Sequence, residues 1–294
     1  MTLKRILKWL VLGIGLMPLS VLAADVVFLT HKSLPVVDEL AKQVGQELKL
    51  TTAVKIVSEA DGDVVVKKDT KTLVVVGPQA LSMWKPSQIP SVAIFVSRAQ
   101  VTNSLEHLHS ALYLEPPVRR QVALAQEIVG NDAPIGMLAQ SKSSLAVAGM
   151  NSSIRQRTGV RAYYLDDYDN INRALVDLLD ECQVLVGQFD TELYSAENIK
   201  NILITAYRQN RPLIGPSSAY IRAGALATTY SDLSDVSKRL SEILSSGLSG
   251  SRWPPPGYNP HFKVRYNEQV ARSLNLILPS AEDVAEALKR QEAR

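Results

Sequence analysis

The sequence predicts an α/β fold with two open, parallel β-sheets, each in its own lobe. Short runs of Val, Ile and Leu recur along the chain, single helical patterns separate them, and this alternation occurs in two successive sets. Continuous apolar strands joined by single helices are typical of parallel sheets that are covered on both faces. With 294 residues, of which 46% are hydrophobic, the chain is long enough to build two such cores.

The first set of elements lies between residues 26 and 96. Four apolar runs predict strands over 26–29, 53–57, 72–76 and 92–96. Apolar residues three and four apart predict a helix over 36–48, and Gly77-Pro78-Gln79 begins a second, short helix. Residues 59–70 are polar and charged, so they are predicted to form a loop or a frayed hairpin.

The second set begins near residue 116 and repeats the pattern. Its predicted strands cover 134–138, 160–165, 183–187 and 211–214, and its predicted helices begin near 116 and cover 143–154, 171–179 and 195–209. Residues 253–257, with three consecutive prolines, predict a stiff extended segment because proline cannot continue a helix. A last strand over 262–266 and helices over 267–272 and 281–290 follow.

These patterns divide the chain into an N-terminal lobe and a C-terminal lobe. The N-terminal lobe comprises residues 24–112, the C-terminal lobe comprises 113–252, and 253–261 form a Pro-rich crossover. Because residues 262–294 follow a complete second sheet, we expect them to return to the N-terminal lobe.

Residues 1–23 have the pattern of a secretory signal peptide. Three cations precede an apolar run over 9–17, and Val21 and Ala23 are the small residues that a signal peptidase reads. The apolar run is short for a membrane span, and an uncleaved anchor is the alternative. No cysteine lies at the cleavage site, so no lipoprotein anchor is expected. We therefore expect a periplasmic protein that does not span the membrane after cleavage.

Charge and composition exclude several classes of function. The formal net charge is +3, but residues 1–23 contribute three cations and no acid, so the rest of the chain is formally neutral. The sequence shows no concentrated basic patch of the kind that nucleic-acid binding requires. Four scattered histidines and the single cysteine, Cys182, form no metal-ligand set, activated nucleophile or phosphate loop. We expect no enzymatic activity, no cofactor and no metal.

Polar residues follow strands of both sets at the points where the strands end. In open parallel sheets, ligands bind outside the carboxyl ends of the strands, so these positions are binding candidates. The candidates are His31, Ser33, Gly77, Pro78, Gln79, Ser97, Arg98, Gln140, Ser141, Ser143, Gln188, Asp190, Gly215, Ser217 and Ser218. Each could instead serve as a helix cap or turn residue, and Ser217 or Ser218 could cap the next helix. Their repetition in both sets favours a binding cleft between two lobes.

A group of segments between residues 113 and 279 carries a family resemblance. They are YLEPP at 113–117, PIGML at 134–138, GQFD at 187–190, RPLIGPS at 211–217, RAGALA at 222–227, FKVRYN at 262–267 and ARSLNLILP at 271–279. Together they resemble the substrate-binding proteins of ABC transporters, the family that includes tryptophan- and tyrosine-binding lipoproteins. The resemblance covers residues 110–280 well and the N-terminal lobe loosely.

The resemblance implies a periplasmic-binding-protein architecture of type I, in which two Rossmann-like lobes close on a small ligand such as an amino acid. It implies a ligand site that includes Gln79, Ser143, Ser144, Asp190 and Ser217, with Tyr113, Phe189 or Tyr194 facing an apolar part of the ligand. With the strand-end candidate Ser97 added, the predicted site comprises Gln79, Ser97, Tyr113, Ser143, Ser144, Asp190 and Ser217. Hydroxyl groups would hold a ligand carboxylate, and Asp190 would pair with an ammonium group. The sequence departs from the family pattern at 77–80, at 97–100 and at 190–191, which are cleft positions, so the resemblance does not name the ligand.

The resemblance also implies a partner. A substrate-binding protein delivers its ligand to the permease of an ABC-type importer. The alternative is a sensing or envelope-interaction module of the same fold, which would contact a membrane signalling protein instead of a transporter.

Overall fold

A computed structural model describes residues 24–57 and 69–293 of the chain. The predicted signal peptide, residues 1–23, and most of the predicted loop at 59–70 lie outside the described residues. The described residues form two lobes, each built on one mostly parallel sheet with helices on its faces.

The first sheet has five parallel strands. They are β1 (Val26–Thr30), β2 (Thr52–Ile56), β3 (Thr72–Val76), β4 (Ser91–Val96) and β5 (Ser110–Tyr113), in the order β2-β1-β3-β4-β5. The helices joining them are α1 (Pro35–Leu48), α2 (Gly77–Met83) and α3 (Arg98–Val101), the last continued by a 3-10 turn over Thr102–His107. The strand order requires right-handed crossovers on both sides of β1 and so places helices on both faces.

The second sheet repeats this order and adds a sixth strand. Its strands are β6 (Ile135–Ala139), β7 (Val160–Tyr164), β8 (Val184–Val186), β9 (Leu213–Ile214), β10 (Ala227–Tyr230) and β11 (Lys263–Tyr266), in the order β11-β10-β9-β8-β6-β7. Its helices are α4 (Val118–Val129), α5 (Lys142–Val147), α6 (Ser152–Thr158), α7 (Ile171–Glu181), α8 (Ala196–Arg208), α9 (Ala219–Ala223), α11 (Glu268–Ser273) and α12 (Ala281–Glu292). All of its pairings are parallel except that of β10 with β11.

The expectation that residues 262–294 return to the N-terminal lobe is wrong. Strand β11 pairs antiparallel with β10 of the second sheet, and α12 buries Val284 and Leu288 in the second core. The element that returns to the first lobe is α10 (Leu233–Leu248), a helix that the sequence analysis did not identify. Its apolar face, with Leu240 and Leu244, packs in the same core as α1. Helix α10 buries its apolar face in the core that contains α1. Strand β11 instead extends the second sheet by pairing with β10.

Within residues 24–57 and 69–293, the chain crosses between the lobes three times. The crossovers are residues 114–117 between β5 and α4, 231–232 between β10 and α10, and 249–262 between α10 and β11. In the last of these, Gly257 is still bonded to the first sheet, since its N–H donates to Ala111 O at 2.9 Å and its carbonyl accepts from Tyr113 N at 2.9 Å. Phe262, five residues later, is buried in the second core.

A helix predicted over residues 143–154 is two helices. Gly149 adopts a left-handed φ of 87°, which ends α5, and the Asn151 side chain accepts a hydrogen bond from Ile154 N to begin α6. The strands β5 and β10 were also missing from the sequence analysis, because their four residues include serine or threonine and lack a long apolar run.

Asp25, at the start of the first sheet, gives the fold a testable acid sensitivity. Its carboxylate accepts from Thr51 N at 2.9 Å and from Thr51 Oγ1 at 2.7 Å, and it pairs with Lys71 Nζ at 2.9 Å. The hydrogen bond from Lys71, followed by those from Thr51, lowers the pKa of Asp25 to about 2. A lowered folded-state pKa stabilises the fold above the ordinary aspartate pKa and loses that contribution as the pH falls toward 2.

We therefore expect Asp25→Asn to destabilise the protein at neutral pH and to have a smaller effect in acid. Urea unfolding of both proteins between about pH 6 and about pH 3 measures this, and the difference in free energy of unfolding should shrink through that range. Asp132→Asn, a change at an exposed aspartate, is the matched control. A difference between wild type and Asp25→Asn that is constant with pH would contradict the assignment.

Candidate functional site

A cleft opens between the two lobes at the carboxyl ends of their strands. It has two compartments, with cavity volumes of about 430 Å³ and about 230 Å³. Glu115, in the first crossover, and Phe189, after β8, line both and mark where they meet. This is the position at which open parallel sheets bind ligands.

The smaller cavity, here called the aromatic compartment, is lined mainly by ring and aliphatic side chains. These are Phe95, Leu112, Tyr113, Leu114, Phe189, Tyr230 and Val236, together with Ser217 and Ser218. Such a lining holds an apolar group by removing its surface from water.

Phe95 enters the aromatic compartment by an unusual backbone conformation. Its φ is 53°, and the register between β4 and β5 shifts between Ile94 and Val96. A positive φ is disfavoured for a bulky residue, and a bulge of this kind redirects a side chain. The strand therefore carries local strain at the position that contributes a ring to the cleft.

The larger cavity, here called the polar compartment, is lined mostly by polar and charged side chains. These are Ser97, Arg98, Gln100, Glu115, Gln140, Ser144, Gln188, Asp190, Thr191, Glu192 and Tyr258. They come from both lobes, so a ligand held here would contact both.

Gln188 is the most unusual residue of the polar compartment. It lies two residues past the end of β8, its side chain is 3% exposed, and neither Oε1 nor Nε2 has a hydrogen-bond partner among the described residues. Leaving a buried donor or acceptor without a partner costs about 1–3 kcal/mol. Buried polar groups without partners are uncommon in folded proteins, and those that line a cleft are candidates for ligand contact.

Glu115 has one engaged and one free carboxylate oxygen. Its Oε1 accepts from Arg98 N at 2.9 Å, whereas Oε2 is buried and has no partner among the residues that the structure describes. Burial raises the pKa of this carboxyl above its usual value, and the hydrogen bond from Arg98 N only partly opposes the shift. The free oxygen is therefore an acceptor without a donor.

Five of the seven predicted site residues line the cleft. Ser97, Ser144 and Asp190 lie on the polar compartment, and Tyr113 and Ser217 lie on the aromatic compartment. Gln79, on α2, and Ser143, on α5, are exposed and line neither compartment. No observation tests the roles of these residues in binding, which remain predictions.

Three of the five also cap local structure, as their residue types suggest. Ser97 and Ser144 are the first and the last residues, respectively, of capping boxes at the starts of α3 and α5. Asp190 Oδ1 accepts from Glu192 N at 3.1 Å and from Leu193 N at 2.9 Å. Neither Ser217 nor Ser218 makes the expected capping hydrogen bond to α9, since the residue at its N-cap, Ser218, has a helical backbone. Both residues line the aromatic compartment.

The turn that carries Ser217 is held by a residue that the sequence analysis did not select. Gln121, on α4, donates through Nε2 to Gly215 O at 2.8 Å and to Thr228 Oγ1 at 2.8 Å. Its Oε1 accepts from Thr229 N and Thr229 Oγ1, each at 3.0 Å. A glycine is required at 215 because a Cβ there would approach the Tyr220 Cβ to 2.8 Å.

Glu115 and Gln188 were also absent from the predicted site. Gln188 was a strand-end candidate, but nothing in the sequence distinguished it from Gln140. Glu115 lies two residues past β5, a strand that the sequence analysis did not identify. Phe95 belongs to the apolar run predicted as a strand over 92–96, and nothing in that run indicates the register shift at this position.

Comparisons with solved structures identify the architecture. A ligand-free, open substrate-binding protein with adhesive properties from Clostridium difficile matches with a TM-score of 0.62 and 15% identity, over 88% of this chain and 97% of that one. A conserved domain protein from Vibrio cholerae O1 biovar eltor str. N16961 matches with a TM-score of 0.56 and 16% identity, over 90% and 98%. An ABC domain in complex with L-Trp from Streptococcus pneumonia matches with a TM-score of 0.55 and 16% identity, also over 90% and 98%.

The chain has the substrate-binding-protein fold. This confirms the α/β, type I periplasmic-binding-protein architecture, and it confirms the resemblance to ABC-transporter substrate-binding proteins at the level of fold. No protein-family model matches the sequence, and no curated protein matches it.

The described residues contain no metal-ligand cluster and no membrane-spanning helix, and the cysteine is buried. Within residues 24–57 and 69–293, no group of three or more His, Cys, Asp or Glu side chains is placed to hold a metal ion. Across the same residues, no helix is both long enough and apolar enough to cross a membrane. Cys182 is buried after α7, and burial raises the pKa of its thiol.

Proposed function

We propose that this protein captures a small solute in its interlobe cleft and does not transform it chemically. The observation that carries the proposal is Gln188, a 3% exposed side chain whose amide has no partner among the described residues while it lines the polar compartment. A ligand that bonds to this amide would remove the cost of leaving it unpaired. The fold supports the proposal, because its two lobes place this cleft between them.

The composition of the cleft indicates a ligand with one polar and one apolar part. The polar compartment and the aromatic compartment adjoin at Glu115 and Phe189. Together they offer hydrogen-bonding groups at one end and rings at the other, the usual arrangement of small-molecule sites. An amino acid or a related small molecule is within this class.

The partner that we propose is the permease of an ABC-type importer, and the proposed location is the periplasm. The signal-peptide pattern of residues 1–23 supports export, and the fold supports delivery of a captured solute. Transport and sensing use the same cleft, so the binding test below applies to both.

The binding test is a thermal-shift screen followed by calorimetry. The full chain, expressed with its own N-terminus, is screened against amino acids, amines, small carboxylates and short peptides, since a ligand that binds only the folded state raises the melting temperature. Gln188→Ala is expected to weaken binding of any hit by about tenfold or more. Gln79→Ala is the matched control, because Gln79 is exposed and lines neither compartment.

The two glutamine variants separate the possible outcomes. Unchanged affinity in Gln79→Ala and loss in Gln188→Ala would support the cleft as the site. The reverse pattern would move the site to α2 and overturn the proposal. A screen without any shift, with the protein folded, would also overturn it.

A further inference from the structure

The charged groups of the polar compartment are mostly acidic. Glu115, Asp190 and Glu192 line it, whereas Arg98 is the one cation among the described lining residues. Glu115 Oε2 is the acidic group of this set that is buried without a partner. The compartment therefore offers more negative charge than positive charge to a ligand.

The two arginines of the cleft already have partners. The Arg98 guanidinium lies close to Tyr258, which comes from the third crossover, and against Gly149 of the opposite lobe. Arg120, at the edge of the aromatic compartment, donates to both Glu292 oxygens at 2.7 Å and 2.8 Å and to Asn259 O at 3.0 Å. A ligand carboxylate would have to displace one of these bonds and would face the acidic side chains.

An ammonium group fits the same surroundings. Its N–H donors match two acceptors that now lack donors, Glu115 Oε2 and Gln188 Oε1. Hydrogen bonds between charged groups are the stronger kind, and a buried carboxylate needs such a partner. From Glu115 the aromatic compartment opens directly, so an apolar group attached to the amine would lie among its rings.

We propose that the ligand is an organic amine, bound as its cation by Glu115 and Gln188, with an aromatic or branched apolar group in the aromatic compartment and without a free carboxylate. This inference rests on the proposed function, since it names the class of solute for the same cleft. It assigns Glu115 as the residue that determines the preference for an amine.

The protonation of Glu115 supports the inference and gives it a second readout. In the empty site, burial raises the pKa of the Glu115 carboxyl. A bound ammonium group would favour the ionised carboxylate and so lower that pKa. Amine binding then releases a proton where Glu115 is protonated in the empty site. We expect amine affinity to fall as the pH falls through that range. Arg98, Asp190, Glu192 and Tyr258 share the polar compartment with Glu115, and Tyr113, Arg120 and Tyr230 share the aromatic compartment with it.

Three probes that share a phenyl ring test the proposal by calorimetry. They are 2-phenylethylamine, with the ammonium alone; L-phenylalanine, with ammonium and carboxylate; and 3-phenylpropionate, with the carboxylate alone. We expect 2-phenylethylamine to bind about tenfold or more tighter than either of the others. In Glu115→Gln, which keeps an oxygen for Arg98 N, amine affinity should fall by about thirtyfold or more, and its pH dependence should disappear.

Glu47→Gln, a change at an exposed residue of α1, is the control and should leave affinity unchanged. A circular-dichroism melt establishes that Glu115→Gln is folded. Tighter binding of L-phenylalanine or 3-phenylpropionate, lost in Gln188→Ala, would overturn the amine preference and leave the proposed function standing. Absence of binding by all three probes would overturn the inference, and the broad screen would still test the proposed function separately.

Discussion

Replacing Gln121 by leucine is expected to lower the free energy of unfolding by about 3 kcal/mol. The Gln121 side chain is 1% exposed, and both of its amide atoms are used in four hydrogen bonds to β10 and to the turn after β9. Leucine has nearly the same volume, so the expected loss comes from unpaired polar groups and not from a cavity. The backbone N–H of Thr229 would be left buried without its acceptor.

Chemical denaturation of wild type and Gln121→Leu measures this difference. Gln126→Leu is the matched control on the same helix, since the Gln126 side chain lies partly exposed. We expect the control to change the free energy of unfolding by less than about 0.5 kcal/mol. A loss below about 1 kcal/mol in Gln121→Leu would show that water or a shifted backbone replaces the amide. Because the same amide holds Gly215, the variant should also displace Ser217 from the aromatic compartment.

The second large effect is expected at the C-terminal helix, in Glu292→Ala. Arg120 is 4% exposed, and its guanidinium lies 3.7 Å from the centroid of the Phe262 ring while it bonds to both Glu292 oxygens. Removing the carboxylate leaves a buried cation with Asn259 O and the ring as its remaining partners. Breaking a buried ion pair costs about 3–5 kcal/mol, and because Glu292 is partly exposed we expect about 2–3 kcal/mol.

Glu286→Ala is the control for this experiment. Glu286 lies on the same helix, its side chain is 69% exposed, and it pairs with Arg290 at 3.7 Å. A surface pair of this kind contributes about 0.5 kcal/mol or less, so the control should leave the denaturation midpoint nearly unchanged. Equal effects of the two substitutions would mean that Arg120 finds another partner. The result also concerns the cleft, because Arg120 lies just after the first crossover and Asn259 lies in the third. The hydrogen bond from Arg120 to Asn259 O therefore joins two of the segments that connect the lobes.

Much of the fold was predictable because strands and helices follow local patterns. The apolar runs at 72–76 and 184–186 and the helical periodicity of 171–181 are visible in the sequence, and each has the predicted type of structure. The rule that ligands bind at the carboxyl ends of parallel strands then selected Ser97, Asp190 and Ser217, and the family resemblance added Ser144; all four line the cleft. Gln79 satisfied the same rule, but it lies on an exposed face of α2.

Long-range pairing was not predictable from the same patterns. Residues 262–266 could extend an edge of either sheet, and in the folded chain they pair with β10 of the second. Whether α10 packs on the first or the second lobe depends on the apolar face of α1. Neither α1 nor β10 is a sequence neighbour of the element that it receives, so local periodicity carries no information about these contacts.

The α/β class, the two sets of strands and helices, and the polar residues at strand ends follow from the order of apolar and polar residues along the chain. The tertiary structure decided which of those polar residues have partners. Ser97 and Ser144 take part in local caps, whereas Gln188 and one oxygen of Glu115 are buried with none among the described residues. Burial and hydrogen bonding depend on groups brought together from distant parts of the chain, and for that physical reason the candidate site became visible only in the folded protein.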